Sequence, residues 1–227
     1  MEKGKVIVIE GCDGSGKATQ TKKVFDRLVM EGYNVKKVEY PNYESNSSAL
    51  VKMYLNGEFG NSAEDVNPYA ASSFYAVDRY ASYKKEWEKF YHQGGIILAD
   101  RYTTANMIHQ ASKIKEEHSR NEFLEWLWDY EFIKIGLPVP DCVIFLDVHP
   151  ACSRELIQNR ENKINGFEEK DIHEKDYEYL LNSYNNSCKV ADKYGWKRID
   201  CVRTGRLREI NDIHEEIYTI LKNNILK

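Results

Sequence analysis

One stretch, Gly11-Cys12-Asp13-Gly14-Ser15-Gly16-Lys17-Ala18-Thr19, constrains this chain more than any other. It has the spacing G-x-x-x-x-G-K. Before it, Lys5-Val6-Ile7-Val8-Ile9 is a β-branched apolar run between Gly4 and Gly11, the pattern of a buried parallel strand. After it, Thr21, Val24, Leu28 and Val29 keep helical spacing, and Gly32 stands where a helix C-cap is expected. A strand, a glycine turn and a helix in that order let several backbone N–H groups converge on phosphate oxygens. The helix N-terminus adds a favourable dipole and Lys17 a point charge. Residues 11–19 are therefore expected to bind nucleotide phosphates. The position after the lysine usually carries a hydroxyl that ligates magnesium; here it is Ala18, with Thr19 rotated about 100° further round the helix. Magnesium is then expected to rest on phosphates, waters and carboxylates from elsewhere.

The 227 residues fit one domain, and 42% apolar with 30% charged residues is enough for a sizeable core under a solvated surface. A net charge of −4 gives no basic footprint for nucleic acid or an anionic membrane. No run approaches a membrane span and no signal peptide is legible, so a soluble cytoplasmic protein is expected. Cys12, Cys142, Cys152, Cys188 and Cys201 are odd in number, scattered and never C-x-x-C, which argues for reduced thiols and against zinc.

Strands alternate with helices, so an α/β fold with a mainly parallel sheet is expected. After the first strand come Val35–Tyr40, Gly94–Asp100, Cys142–Val148 and Trp196–Cys201, five in all. Ligands of such sheets gather beyond the carboxyl ends of the strands, so Pro41-Asn42-Tyr43 and Asp100-Arg101-Tyr102 are candidate site segments. Asn67-Pro68 opens a helix with Ala70, Phe74, Val77 and Ala81 on one face; Tyr75 and Arg79 share another. A ring one turn from a guanidinium suits a planar base, and equally suits ordinary surface packing. Asp100 and Arg101 suit a metal and a phosphoryl clamp, or a structural ion pair. Asn106, His109 and Gln110 fall on one helical face. The segment 154–176, with Arg154, Arg160, Lys163, Lys170 and Lys175 among many acids, is either a solvated face or a lid over reacting phosphates. Trp126 and Trp128 are expected in the core or at a subunit interface. In the last helix, Leu207, Ile210, Ile213, Ile217, Ile220 and Leu221 are expected to form the buried stripe.

Taken in order, these signals resemble the thymidylate kinase family of nucleoside monophosphate kinases along almost the whole chain. The residues that carry the resemblance are Ile9-Glu10-Gly11 with Asp13-Gly14-Ser15-Gly16-Lys17 and Thr19-Gln20, then Pro41-Asn42-Tyr43 and Phe74-Tyr75-Ala76-Val77-Asp78-Arg79. Asp100-Arg101-Tyr102 and Leu146-Asp147-Val148 with Pro150 complete the set. The resemblance implies a P-loop NTPase fold with a lid at about 154–176, ATP and Mg2+, dTMP as acceptor, and a homodimer. It places Tyr75 on the base, Arg79 at a base carbonyl, Asn106 near the base and His109 at the sugar, with Gln110 beside it. Arg101 would grip the acceptor phosphate, with Asp13 and Tyr43 lining that pocket; Asp100 would serve the metal. Lys17 and Arg160 of the lid would carry catalytic charge, since Gly14-Ser15 offers none. Arg203 to Arg206 would border adenine. Four departures stand out: Ala18; Asn42 where arginine is frequent; His109 where tyrosine is common; and Ile172, where an arginine often precedes the lid glutamate, here Glu174. A GTPase reading would want N-K-x-D, and Asn162-Lys163-Ile164-Asn165 ends in Asn. A kinase for another nucleoside monophosphate or a deoxynucleoside, and a catalytically weak nucleotide binder, are the alternatives.

Overall fold

Five parallel strands lie side by side in the order β2-β3-β1-β4-β5 in a computed structural model that describes residues 3–153 and 177–226. They are β1 (Lys5–Gly11), β2 (Val35–Glu39), β3 (Ile96–Asp100), β4 (Cys142–Asp147) and β5 (Lys197–Asp200). The helices that matter here are α1 (Lys17–Met30), α2 (Ala49–Leu55), α3 (Pro68–Ser82), α4 (Glu88–His92), α5 (Thr103–His109), α6 (Glu117–Trp128), α7 (Tyr177–Lys193) and α8 (Ile210–Asn224). The α/β architecture expected from the alternating pattern is present.

β1 is apolar on both faces because both are covered, and the two-residue period of a strand sorts its side chains into two cores. Ile7 and Ile9, with Leu98, Ile144 and Leu146, meet Val24 and Leu28 of α1 and Ile213, Ile217 and Leu221 of α8. Val6 and Val8, with Ile97, Ala99 and Val143, meet Tyr83, Trp87, Tyr91 and Phe132 on the other side. Trp87 is almost wholly buried and its Nε1 donates to the Tyr40 hydroxyl at 3.0 Å. Each fully buried aliphatic side chain stabilises the fold by about 1.5–3 kcal/mol.

Register fixes the site. Ile9 pairs with Asp100, the last residue of β3, and Gly11 with Leu146, so β1 runs two residues past β3 and the phosphate loop leaves it just beyond the end of β3. The expected strand limits move by one or two residues. Gly94 and Gly95 form the turn before β3, β2 stops at Glu39 ahead of Pro41, and β4 and β5 end at Asp147 and Asp200.

Three helical faces differ from the expected ones. On α1 the buried set is Lys17, Gln20, Thr21, Val24 and Leu28, while Val29 faces solvent. On α3 the expected cap is present, with Asn67 Oδ1 accepting from Tyr69 N at 2.8 Å. Its buried face, however, is Ala71, Ser72, Ala76, Asp78, Arg79 and Ser82, whereas Ala70 is exposed and Val77 is 50% exposed. Asp78 and Arg79 go inward there because they have partners, and of the expected stripe Ala70 and Val77 are left outside while Phe74 and Ala81 are part-buried. On α8 the stripe is Ile213, His214, Ile217, Tyr218 and Leu221. Leu207 lies in a small antiparallel hairpin, β6 (Val202–Arg203) and β7 (Arg206–Leu207), and is exposed, as is Ile210. That hairpin replaces the expected irregular loop, with Thr204 (φ 48°) and Gly205 (φ 76°) supplying the left-handed turn. No helix among the described residues is long and apolar enough to cross a membrane.

Candidate functional site

The site is assembled at the carboxyl edge of the central strands. Gly11 must be glycine: at φ 155° a Cβ would lie 2.6 Å from Ser15 Oγ and 2.9 Å from the Leu146 carbonyl. Gly16, left-handed at φ 84°, caps α1, and a Cβ there would meet nothing within 4 Å. Open space thus lies in front of the first turn of α1, where its free N–H groups and dipole favour an anion. Residues 11–19 fit phosphates.

Lys17 is turned back into this loop. Its Nζ donates to the Gly11 carbonyl at 2.7 Å and the Cys12 carbonyl at 2.8 Å, and lies 4.0 Å from Asp13 Oδ1. Burial, then the nearby Arg101 guanidinium, pull its pKa down to about 8 against the opposing pull of Asp13 and Glu10. The Cys12 thiol points the other way, 3.8 Å from Ser187 Oγ of α7, and burial pushes it up to about 12, so it is a packing group. Ala18 and Thr19 are both exposed.

Arg101 comes next after β3, in the left-handed region at φ 65°. A non-glycine residue there is strained, and such strain persists only where the surroundings enforce it. Arg101 is held by an ion pair to Asp13 and by a 2.9 Å bond between Nη1 and His109 Nε2. Burial works against its charge, but Asp13, Glu10 and Asp100 outweigh that and hold its pKa above the ordinary value, with Tyr43 adding to them. Glu10 is fully buried, accepting from the Gly11 N–H at 3.0 Å and Thr104 Oγ1 at 2.7 Å. Burial raises its pKa against the pull of Arg101 and Lys17. Asp100 is 6% exposed beside these groups. The hard oxygen donors that would serve magnesium are Asp100 and Asp13; among the described residues no cluster of three or more His, Cys, Asp or Glu has metal-binding proximity.

A second polar group of residues lies between α3, α5 and the chain after α6. Arg79 Nε donates to Glu131 Oε2 at 2.7 Å and Nη2 to Oε1 at 2.5 Å, with both residues 1% exposed or less. Burial opposes the guanidinium charge, and Glu131 more than offsets it. Thr103 Oγ1 donates to Glu131 Oε2 at 2.7 Å; Asn106 Nδ2 reaches Glu131 Oε1 and the Ser72 carbonyl, each at 3.3 Å. Removing one partner of such a pair alone costs about 3–5 kcal/mol. Tyr75 is half-buried on the next turn of α3, edge-on to Tyr54 at 6.4 Å. Lys113 Nζ in turn donates to the Tyr54 hydroxyl at 2.8 Å. His109 lies near-parallel to Tyr179 of α7, ring centroids 6.4 Å apart. Gln110 is 1% exposed and its Oε1 has no hydrogen-bond partner among the described residues, nor has Ser72 Oγ.

Lys17, Asp13, Arg101 and His109 thus form one connected cluster, and Arg79 with Asn106 another. Arg203 is exposed on β6, and Gln20 Nε2 of α1 bonds the Ile210 carbonyl just beyond that hairpin at 2.9 Å. Arg160 and the whole expected lid, 154–176, lie outside the described residues, as do Ile172 and Glu174. Sequence reasoning missed Glu131, Thr103 and Thr104. Glu131 stands between Tyr130 and Phe132 in an aromatic-rich stretch, inside a wide π turn (Asp129–Lys134), and no periodicity marks it.

Comparison with known proteins bears on the whole arrangement. The sequence profile of the thymidylate kinase family matches residues 9–203. Thymidylate kinase of Mycobacterium tuberculosis (strain ATCC 25618 / H37Rv) is 29% identical over 174 residues, covering 76% of this chain and 79% of that protein. The Homo sapiens thymidylate kinase is 24% identical over 225 residues, 98% of this chain and 92% of that one. Among solved structures, thymidylate kinase from Candida albicans superposes with a TM-score of 0.69 at 19% identity, covering 98% of this chain and 92% of that chain. The Ehrlichia chaffeensis enzyme gives 0.62 at 18%, over 97% and 100%. Identities this low speak to fold, which they share; the profile match, spanning the phosphate loop through β6, speaks to descent. The chain belongs to the thymidylate kinase family of ATP-using phosphotransferases.

Proposed function

We propose that in its thymidylate kinase reaction this chain moves the γ-phosphoryl group of ATP to dTMP, giving dTDP and ADP, with the two polar clusters sharing the work. The observation that carries the reading is the direct link from the phosphate loop to β3: Lys17 next to Asp13, and Asp13 paired with Arg101. Donor and acceptor phosphates can then meet beside one another. Phosphoryl transfer asks little covalent chemistry of a protein and much positioning and charge neutralisation.

In this reading Gly11 to Thr19 cradle the donor, Lys17 leaves the Gly11 and Cys12 carbonyls for the β- and γ-phosphates, and Arg203 borders adenine. Arg101 exchanges Asp13 for the acceptor phosphate, with Tyr43 alongside. Tyr75 covers the base, Arg79 and Asn106 read its edge, and His109 and Gln110 bound the sugar side. Asp100 would hold Mg2+ together with the ATP phosphates and waters, and the metal would supply neutralisation of charge on the transferred group. Arg160, from a lid at 154–176 of a single-domain protein, closes over the phosphates.

A homodimer working in the cytoplasm completes the reading. Its interface is the apolar stripe of α3, where Ala70, Val77 and Tyr80 face outward. Trp126 stacks on Tyr130 and Trp128 on Tyr194, each pair 13° from parallel, so both indoles already have partners within the chain. The test is ADP release with ATP and magnesium across nucleoside monophosphates and thymidine. Turnover of dTMP should exceed that of AMP, CMP and thymidine; a faster alternative acceptor would refute the assignment.

A further inference from the structure

The Glu131 carboxylate receives four donors and no acceptor. Arg79 supplies two N–H groups, Thr103 a hydroxyl and Asn106 an amide N–H, which matches the four lone-pair sites that two carboxylate oxygens offer. The group is fully buried. No water is therefore needed to satisfy it, and its partners have no freedom to turn away.

Two orientations follow from that saturation. The Arg79 guanidinium is fixed along its Nε–Nη2 edge, leaving Nη1, whose one hydrogen bond among the described residues is a long 3.4 Å approach to the Tyr102 carbonyl. The Asn106 amide is fixed because both neighbours of its Nδ2, Glu131 and the Ser72 carbonyl, accept and cannot donate. A flipped amide would set its oxygen against two acceptors. Its Oδ1 is thus turned away from both, with no partner among the described residues. Side by side, the two residues offer one N–H donor and one carbonyl acceptor.

We propose that Glu131 is a positioning residue that sets the hydrogen-bond polarity of the base pocket. By fixing where the Arg79 donor points and holding Asn106 as acceptor, it selects a pyrimidine with a 4-oxo group next to an N3–H, as in thymine or uracil. It rejects a 4-amino pyrimidine, whose exocyclic amine donates and whose N3 accepts. The inference rests on the proposal that dTMP binds between α3 and α5, and goes beyond it in naming the group that imposes the polarity. The unpartnered Ser72 Oγ and Gln110 Oε1, both buried beside this cluster, are further groups that a bound nucleotide would satisfy.

Glu131→Gln tests it, because glutamine has the same shape but mixes a donor with an acceptor. Asn106 can then flip, turning Nδ2 to the base. Steady-state kinetics with dTMP, dUMP and dCMP should show the dTMP-to-dCMP ratio of kcat/KM falling at least about tenfold, since unpaired buried groups carry such discrimination. The KM for dTMP should rise more than kcat falls, and the KM for ATP should stay within about threefold. Glu131→Asp, still acceptor-only, should weaken dTMP binding yet keep the ratio, a split that a merely structural carboxylate would not produce. An ATP-induced rise in Tm reports that each variant is folded. If Glu131→Gln does not fold, Arg79→Met with Glu131→Met removes both buried charges together and should bring the ratio close to one. A folded Glu131→Gln variant, or a folded Arg79→Met, Glu131→Met double variant, that keeps the parent ratio within about threefold overturns the proposal. A parent enzyme with no preference for dTMP over dCMP would instead refute the acceptor assignment itself.

Discussion

Arg101 and Asp13 join the end of β3 to the phosphate loop through an ion pair, so the clamp proposed for one substrate leans on the loop proposed to hold the other. An arriving phosphate must displace Asp13 from the guanidinium. The strained backbone of Arg101 keeps its side chain aimed into the cleft meanwhile. Arg101→Gln should lower kcat/KM for dTMP by about 10²–10³-fold, the usual scale for losing one charge-stabilising donor. The KM for ATP should change little. If it rises in step with that of dTMP, Arg101 serves the donor instead.

Lys17 gives a pH prediction. Its pKa is lowered to about 8 in the folded protein, against an unfolded value near 10.5. Between these values the native state holds fewer protons than the unfolded one, so this group makes stability rise with pH across that window. At pH 7 it is charged, buried and destabilising. ATP phosphates should raise its pKa, so nucleotide binding above about pH 8 should take up a proton and weaken as pH rises. Titration calorimetry at pH 8.5 in two buffers of different ionisation heat should give different apparent enthalpies, and Lys17→Met should abolish the difference along with most activity. Buffer-independent heats in the parent would remove this account of Lys17.

Ala18 and Asp100 separate two ideas of the metal site. Replacing one neutral ligand of six by water costs a hydrated cation little, whereas losing a charged oxygen costs more. Ala18→Ser should therefore change the rate less than threefold, and Asp100→Asn should raise the magnesium concentration needed for half-maximal rate at least tenfold. Magnesium titrations of both variants check this. A large gain from Ala18→Ser beside a near-normal Asp100→Asn reverses the assignment.

The outward stripe of α3 predicts the assembly. Val77→Glu puts a charge in the middle of an apolar contact and should shift the mass measured by light scattering from dimer to monomer. Tyr75 and Arg79 sit on the same helix, so the monomer should also bind dTMP more weakly. A parent that is monomeric at working concentration would end this proposal.

What was legible in the sequence followed from local rules. The phosphate loop declared itself because G-x-x-x-x-G-K lay between a β-branched run and a helical one, and the β-branched or apolar runs at Ile97 and Ile144 marked central strands in the same way. The face of α3 was misleading because apolar spacing normally marks the inside. There the inside holds Asp78 and Arg79, whose partners come from distant segments: Asn42 N–H and Ser47 Oγ for Asp78, Glu131 for Arg79. Such pairings have no period along the chain. Glu131 was invisible for the same reason, being 52 residues from the arginine it holds.

The pairing of Ile9 with the last residue of β3 has a further consequence for the proposed site. Because Ile9 pairs with Asp100, the spacing between the donor loop and the acceptor clamp is set by the backbone ladder, which side-chain substitution leaves untouched. The groups proposed to read the base hang instead from α3, α5 and the π turn after α6. In the proposed reading, transfer and choice of substrate rest on different elements, joined where His109 of α5 bonds Arg101. A one-residue slip of β3 would carry Arg101 about 3.3 Å along the sheet and to its opposite face, destroying transfer for every acceptor at once. Changes on the helices would trade one acceptor for another while the transfer geometry stood still. A designer wanting a new nucleotide should leave the ruler alone and rewrite the reader.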